Sequence, residues 1–212
     1  MDRHERLIEN LSRDLSPVAP ARNVNLVGLA WLLASAVFVV AVTQWTDPVR
    51  PGVFGQFQEA PRFLLETLLG VAAITWVGLL AFRSAVPGEL TRRFAVAGLA
   101  LMALWLAQYV IGLVSPALEP SEWGKRPFCY LETMIYSAPP ILAALFIARR
   151  LYPLHYRRTA MLLALAAGMI PALFMQIACM YDPSHILLLH VLPGLSMALV
   201  AAALAAWWPL PR

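Results

Sequence analysis

The sequence predicts an all-α membrane protein: a bundle of six transmembrane helices, both termini cytoplasmic, with a short amphipathic helix ahead of the first span. Three observations carry this. Of 212 residues, 60% are hydrophobic and 13% charged, with mean hydropathy +0.69, too little polar surface to clothe a soluble globule of that size. Six apolar runs, at about 24–44, 63–82, 94–114, 128–148, 159–180 and 185–208, each approach the roughly 20 residues that cross about 30 Å of hydrocarbon. The cations are also unevenly shared between alternate loops.

Residues 1–23, "MDRHERLIENLSRDLSPVAPARN", form a cytoplasmic segment of their own, ahead of the spans at 24–208. Leu7, Ile8, Leu11 and Leu15 make one stripe of an amphipathic helix that Pro17 would end. Its charges balance, four acidic and four basic, whereas a membrane-surface helix is usually more basic. The stripe therefore suits a partner's groove at least as well as the bilayer or its own bundle.

The first run is expected to stay in the mature chain. It follows 23 mixed-charge residues, exceeds the length of a signal-peptide core, and lacks a small-residue cleavage site. The connection after it, "WTDPVRPGVFGQFQEAPR", is rich in Pro and Gly and reads as a surface loop. Twelve of the sixteen Lys and Arg fall before the first run, between the second and third, between the fourth and fifth, and at the end; only Arg50, Arg62, Lys125 and Arg126 fall on the other side. Positive-inside bias then puts both termini in the cytoplasm. The net charge of +4 follows from those inner loops and calls for no nucleic acid.

The short connections imply antiparallel hairpins. Spans two, four and six open with "RFLLET", "FCYLET" and "SHILLLH", which puts Glu66, Glu132 and His190 at similar depth. With Gln176, they are the intramembrane polar residues. They serve either as hydrogen-bonding ties between helices or as functional groups, and a Glu–His pair is one way of satisfying them.

The chain has two cysteines, Cys129 opening span four and Cys179 closing span five. About 20 residues lead down from one to the intervening loop and about 20 lead back to the other. At 1.5 Å per residue both thiols reach the same outer level, where a disulfide can persist. Three readings stay open: a static disulfide, two unpaired cysteines packing as small hydrophobes, or a responsive pair. Cys129, Cys179 and His185, with Asp182 nearby, are donors that thiophilic ions select. His185 and His190 are five apart, about 140° round an α-helix, so they are not expected to face one metal together. His190 reads as a buried hydrogen-bonding tie.

These features together resemble the NrsF-type family of six-helix inner-membrane anti-sigma factors. The likeness rests on "LIENLSRDLSPV" at 7–18, "PRFLLE" at 61–66, "RSAVPG" at 83–88, Cys129 with "SAPP" at 137–140, and Gln176 through "DPSHILLLHVLP" to Pro193. Where the family often has His-Cys-Pro, this chain has Ala178-Cys179-Met180. The resemblance implies a stress-signalling regulator and not an enzyme. Its cytoplasmic segment, through Leu7, Ile8, Leu11 and Leu15, would hold an extracytoplasmic-function sigma factor. Periplasmic Cys129 and Cys179 would sense heavy metal or oxidant and release it. No cofactor is required, a thiophilic ion entering only as signal, and no direct nucleic-acid contact is expected. A thiol oxidoreductase linked to quinone or haem, and an ion transporter lined by Glu66, Glu132, Gln176 and His190, are the alternative readings.

Overall fold

A computed structural model describes residues 2–13 and 23–207. The described residues are helical and contain no strand. After α1 (Arg3–Arg13) come α2 (Val24–Thr46), α3 (Val53–Glu59), α4 (Pro61–Ser84), α5 (Arg92–Gly112), α6 (Cys129–Arg149), α7 (Tyr156–Ala178), α8 (Pro183–Ile186) and α9 (Leu192–Trp207). A π-helical turn, Leu187–Val191, joins α8 to α9. Among the described residues, six helices are long and apolar enough to cross a membrane: α2, α4, α5, α6, α7, and the composite Pro183–Trp207. Large apolar side chains such as Leu33, Leu65, Leu104, Leu142 and Leu199 cover the outside, as a lipid-facing surface requires.

Local sequence sets the boundaries. The Asn23 side chain accepts from the backbone N–H of Asn25 and Leu26 and caps α2, and Thr91 caps α5 through Phe94 N–H. Pro61 begins α4, at the helix position where a missing N–H costs nothing. Between α2 and α4, the stretch expected to be a plain surface loop turns at Gly52 (φ +78°) and forms α3. Val53 and Arg50 within it are buried, so the stretch packs down onto the end of the bundle.

At the centre stands α7, which packs against α2, α4, α6 and α9 and is buried over most of its length. Sequence neighbours generally lie side by side, as hairpins predict. The exception follows α5: it packs on α4 and α8, and the long connection over 113–128 carries the chain across to α6. That helix holds Pro139 and Pro140, whose rings remove two backbone donors, and Trp31 Nε1 donates to the Pro140 carbonyl at 3.0 Å. α7 and α9 approach each other backbone to backbone. A Cβ on Gly168 would fall 2.5 Å from Gly194 O, and one on Gly194 would fall 2.6 Å from Gly168 O. Small residues at a membrane helix contact allow such backbone-to-backbone packing.

α1 forms as the amphipathic pattern predicts, and Leu7 and Ile8 on it are exposed. Leu15 and the side chain of Leu11 lie outside what the structure describes.

Gly168→Val should therefore separate α7 from α9 and destabilise the protein by about 1–3 kcal/mol, the usual cost of overpacking. Gly55→Ala, whose Cβ meets open space, should be neutral or slightly stabilising. Unfolding midpoints in detergent check this, and a Gly168→Val protein as stable as the parent would contradict the close contact.

Candidate functional site

At one end of the bundle, the start of α6, the end of α7 and the start of the last span converge. Cys129 is the first residue of α6, and Cys179 follows α7 directly. Their sulfurs lie 3.1 Å apart, unbonded and buried. The equal levels expected from helix lengths thus become a side-by-side pair. His185 Nε2 is 3.5 Å from Cys179 Sγ. His190 is fully buried, and its ring centroid is 5.0 Å from that of His185. One donor atom from each of Cys129, Cys179, His185 and His190 lies within 4.8 Å of the other three.

The approach of the two histidines corrects the helical-wheel expectation. An α-helix would hold them about 140° apart. Here the chain from Leu187 to Val191 is π-helical, with Leu192 N–H donating to Leu187 O, and i→i+5 bonding brings residues five apart onto one face. Asp182 is a second correction, because it stands outside the donor group. Its Oδ1 accepts from His185 N–H at 2.7 Å and from the Ser184 hydroxyl, making it the N-cap of α8. Those hydrogen bonds, Ser184 first, hold its carboxyl below the usual range, leaving it ionised as a cap should be.

Two arginines fix the cysteine-bearing ends, and sequence reading counted them only as loop cations. Arg126 donates through Nε to Glu132 at 2.7 Å, through Nη1 to Asp47 O at 2.6 Å, and through Nη2 to the Thr46 hydroxyl at 2.8 Å. Its own carbonyl lies 3.2 Å from Cys129 Sγ. Arg50 donates through Nη1 to Cys179 O at 2.9 Å and through Nη2 to Gln56 Oε1 at 2.6 Å, while its backbone N–H donates to Ala178 O. The Arg50 guanidinium also lies 5.6 Å from the Phe63 ring centroid and 5.9 Å from that of Tyr181. Spacing offered one hint, since Arg126 stands three residues before Cys129.

The intramembrane polar residues find partners other than the anticipated Glu–His pairing. Glu66 pairs with Arg62 at 2.8 Å, one helical turn away, and Glu132 with Arg126. Gln176 accepts from the Tyr109 hydroxyl and donates weakly to Thr67. His190 Nδ1 lies 3.4 Å from Thr133 Oγ1, and Nε2 has no hydrogen-bond partner among the described residues.

The electrostatics distinguish the two thiols. Hydrogen bonding from Cys129, then from the neighbouring imidazole of His185, holds the Cys179 thiol below its ordinary range, although burial opposes this. Thiolate is the nucleophilic and metal-binding form, and Cys179 is the member of the pair whose surroundings favour it. A groove of about 640 Å³, lined by Lys125, Phe128, Cys129, Tyr130 and His185 among others, reaches Cys129 and His185, with Cys179 buried behind them. The arrangement can close a disulfide or gather around an ion.

Compared with known proteins, the chain has no significant match among curated proteins or solved structures. A family model described as NrsF, negative regulator of sigma F, matches residues 11–209. That match runs through all six spans and the whole thiol–histidine cluster, and the chain belongs to the NrsF family of negative regulators of a sigma factor.

Proposed function

We propose that this chain is an anti-sigma factor of the inner membrane that holds an extracytoplasmic-function sigma factor at its cytoplasmic face. A change at periplasmic Cys129 and Cys179, by thiophilic metal or by oxidant, releases the partner. The observation that carries the reading is the meeting of the chain's two cysteines, from the ends of different helices, at 3.1 Å in a buried pair, with a groove beside Cys129. Family membership supplies the regulated partner. The exposed Leu7 and Ile8 on α1 support a helix-in-groove contact through residues 1–16. The four-to-twelve division of cations between loops supports a cytoplasmic α1 and periplasmic thiols. Oxidation of the pair forms one S–S bond, two electrons and two protons passing to the oxidant.

Pull-down of the sigma factor tests the partner and the sensor separately. Full-length protein should retain it and a variant lacking residues 1–16 should not; full retention by the truncated protein would refute the N-terminal contact. Cys129→Ser/Cys179→Ser should retain the partner through metal or oxidant challenge, and its normal release would refute the thiol sensor.

A pH series tests the chemistry of the pair. An ordinary thiol near pKa 8.5 loses thiolate about tenfold per pH unit below that value. Because the Cys179 thiol is held down, disulfide closure by a mild oxidant should slow much less than about 100-fold between pH 7.5 and 5.5. A full tenfold loss per unit would show an unperturbed thiol.

A further inference from the structure

We propose that Cys129, Cys179, His185 and His190 form one four-coordinate site for a divalent cation of the zinc class, with His190 as its innermost ligand. The proposal rests on reading the two cysteines as the sensing pair; it adds both histidines, the coordination number and the class of ion.

The tautomer of His190 points to a ligand. Thr133 Oγ1 donates to Cys129 O at 2.9 Å, which commits its single proton, so toward His190 Nδ1 at 3.4 Å the hydroxyl can only accept. Nδ1 therefore carries the imidazole proton, and Nε2 presents a lone pair. That nitrogen is buried without a hydrogen-bond partner among the described residues. An orphaned lone pair in a site with two thiols lacks a Lewis acid. Metal-bound histidines show this same pattern, the far nitrogen tied to a hydrogen-bonding group and the near one free for the ion.

Geometry and charge agree. Zn–S bonds of about 2.3 Å and Zn–N bonds of about 2.0 Å give a tetrahedron with edges of about 3.3–3.8 Å. The sulfurs are 3.1 Å apart, Cys179 Sγ and His185 Nε2 are 3.5 Å apart, and all four donors lie within 4.8 Å. Small shifts of side chains complete the figure. Two thiolates, two neutral imidazoles and a doubly charged cation sum to zero, which a buried site accepts far more readily than a net charge. On binding, each thiol gives up its proton to solvent. Hard cations such as Mg²⁺ and Ca²⁺ are disfavoured, because they need oxygen ligands and Asp182 is committed to capping α8. The groove beside His185 and Cys129 supplies the path inward, with His185, half-buried at the rim, the first nitrogen an ion meets.

The test is titration of reduced, full-length protein in nanodiscs with Co(II), followed by displacement with Zn(II). Expected are the intense visible ligand-field bands of four-coordinate cobalt, thiolate-to-metal charge transfer, and loss of both on adding Zn(II). His190→Leu and His185→Leu should each weaken Co(II) binding at least about 100-fold and change the spectrum, while Thr133→Val, which touches the ion only through His190, should weaken it about 10-fold. Both histidine variants should still close the Cys129–Cys179 disulfide under oxidant, showing that the helix ends remain in place; His190→Gln, which preserves a polar partner for Thr133, serves if His190→Leu fails to fold. Parental affinity and spectrum in both His185→Leu and His190 variants would overturn the proposal, as would six-coordinate cobalt in the parent. If the parent binds no Co(II) yet releases its sigma factor on oxidation, the coordination fails and the sensing reading stands. If Cys129→Ser/Cys179→Ser releases the sigma factor normally on metal challenge, the sensing reading fails even where the parent binds cobalt.

Discussion

Two buried guanidiniums hold together the end of the bundle on which everything else depends. Arg126 ties the last turn of α2, through Asp47 O and Thr46, to Glu132 on α6. Arg50, just beyond α2, ties that same end to the final carbonyls of α7. The three helix ends are thus fixed to one another by charge-assisted hydrogen bonds. A buried cation that loses its partners costs about 3–5 kcal/mol, so the clamp resists loosening. Cys129 and Cys179 sit beside the clamped carbonyls, and their proximity is a consequence of it.

The clamp also explains which parts of the molecule were legible in its sequence. Hydrophobic length is a one-dimensional property, and it placed all six spans to within three residues of their observed ends. The same arithmetic brought Cys129 and Cys179 to one level. Contacts made by loop residues reaching sideways have no such periodic signal, and Arg50 and Arg126 went unnoticed as anything but charge. Asp182-Pro183 is different, because an aspartate ahead of a proline is itself a helix-start signal, and Asp182 caps the helix that begins there. His190 was hidden for a third reason. Its place in the cluster depends on one π turn, and a helical wheel drawn at 100° per residue has no room for it.

The polar residues at membrane depth illustrate the same division. Glu66 has its arginine four residues earlier, a spacing visible in sequence, whereas Glu132 takes a partner from the loop that also frames the thiols. Gln176, Tyr109 and Thr67 come from three different helices. In lipid such groups must be satisfied inside the protein. They fix how the helices are turned toward each other, and both carboxylates are engaged by arginines.

On the proposed reading, a change at the thiols has to reach a partner at the other end of the bundle, and each helix bearing a ligand has a break close behind it. Cys129 is followed by Pro139 and Pro140 in α6, Cys179 is preceded by Pro171 in α7, and His190 lies inside the π turn. Prolines and π turns are where helices bend. Behind two of those breaks, Gly168 and Gly194 bring α7 and α9 into backbone contact, a junction too tight to slide. An ion moves the two sulfurs, now 3.1 Å apart, toward the longer edge of a tetrahedron while bringing the histidine nitrogens in, and the breaks are where the outer segments can take up such shifts. Moving a two-state equilibrium from 1:99 to 99:1 takes about 5.5 kcal/mol of differential binding, and structural zinc sites supply about 10–16 kcal/mol. A four-ligand site has enough free energy to reorganise the helix ends and still shift the partner-binding state, provided that the two states hold the donors at different distances.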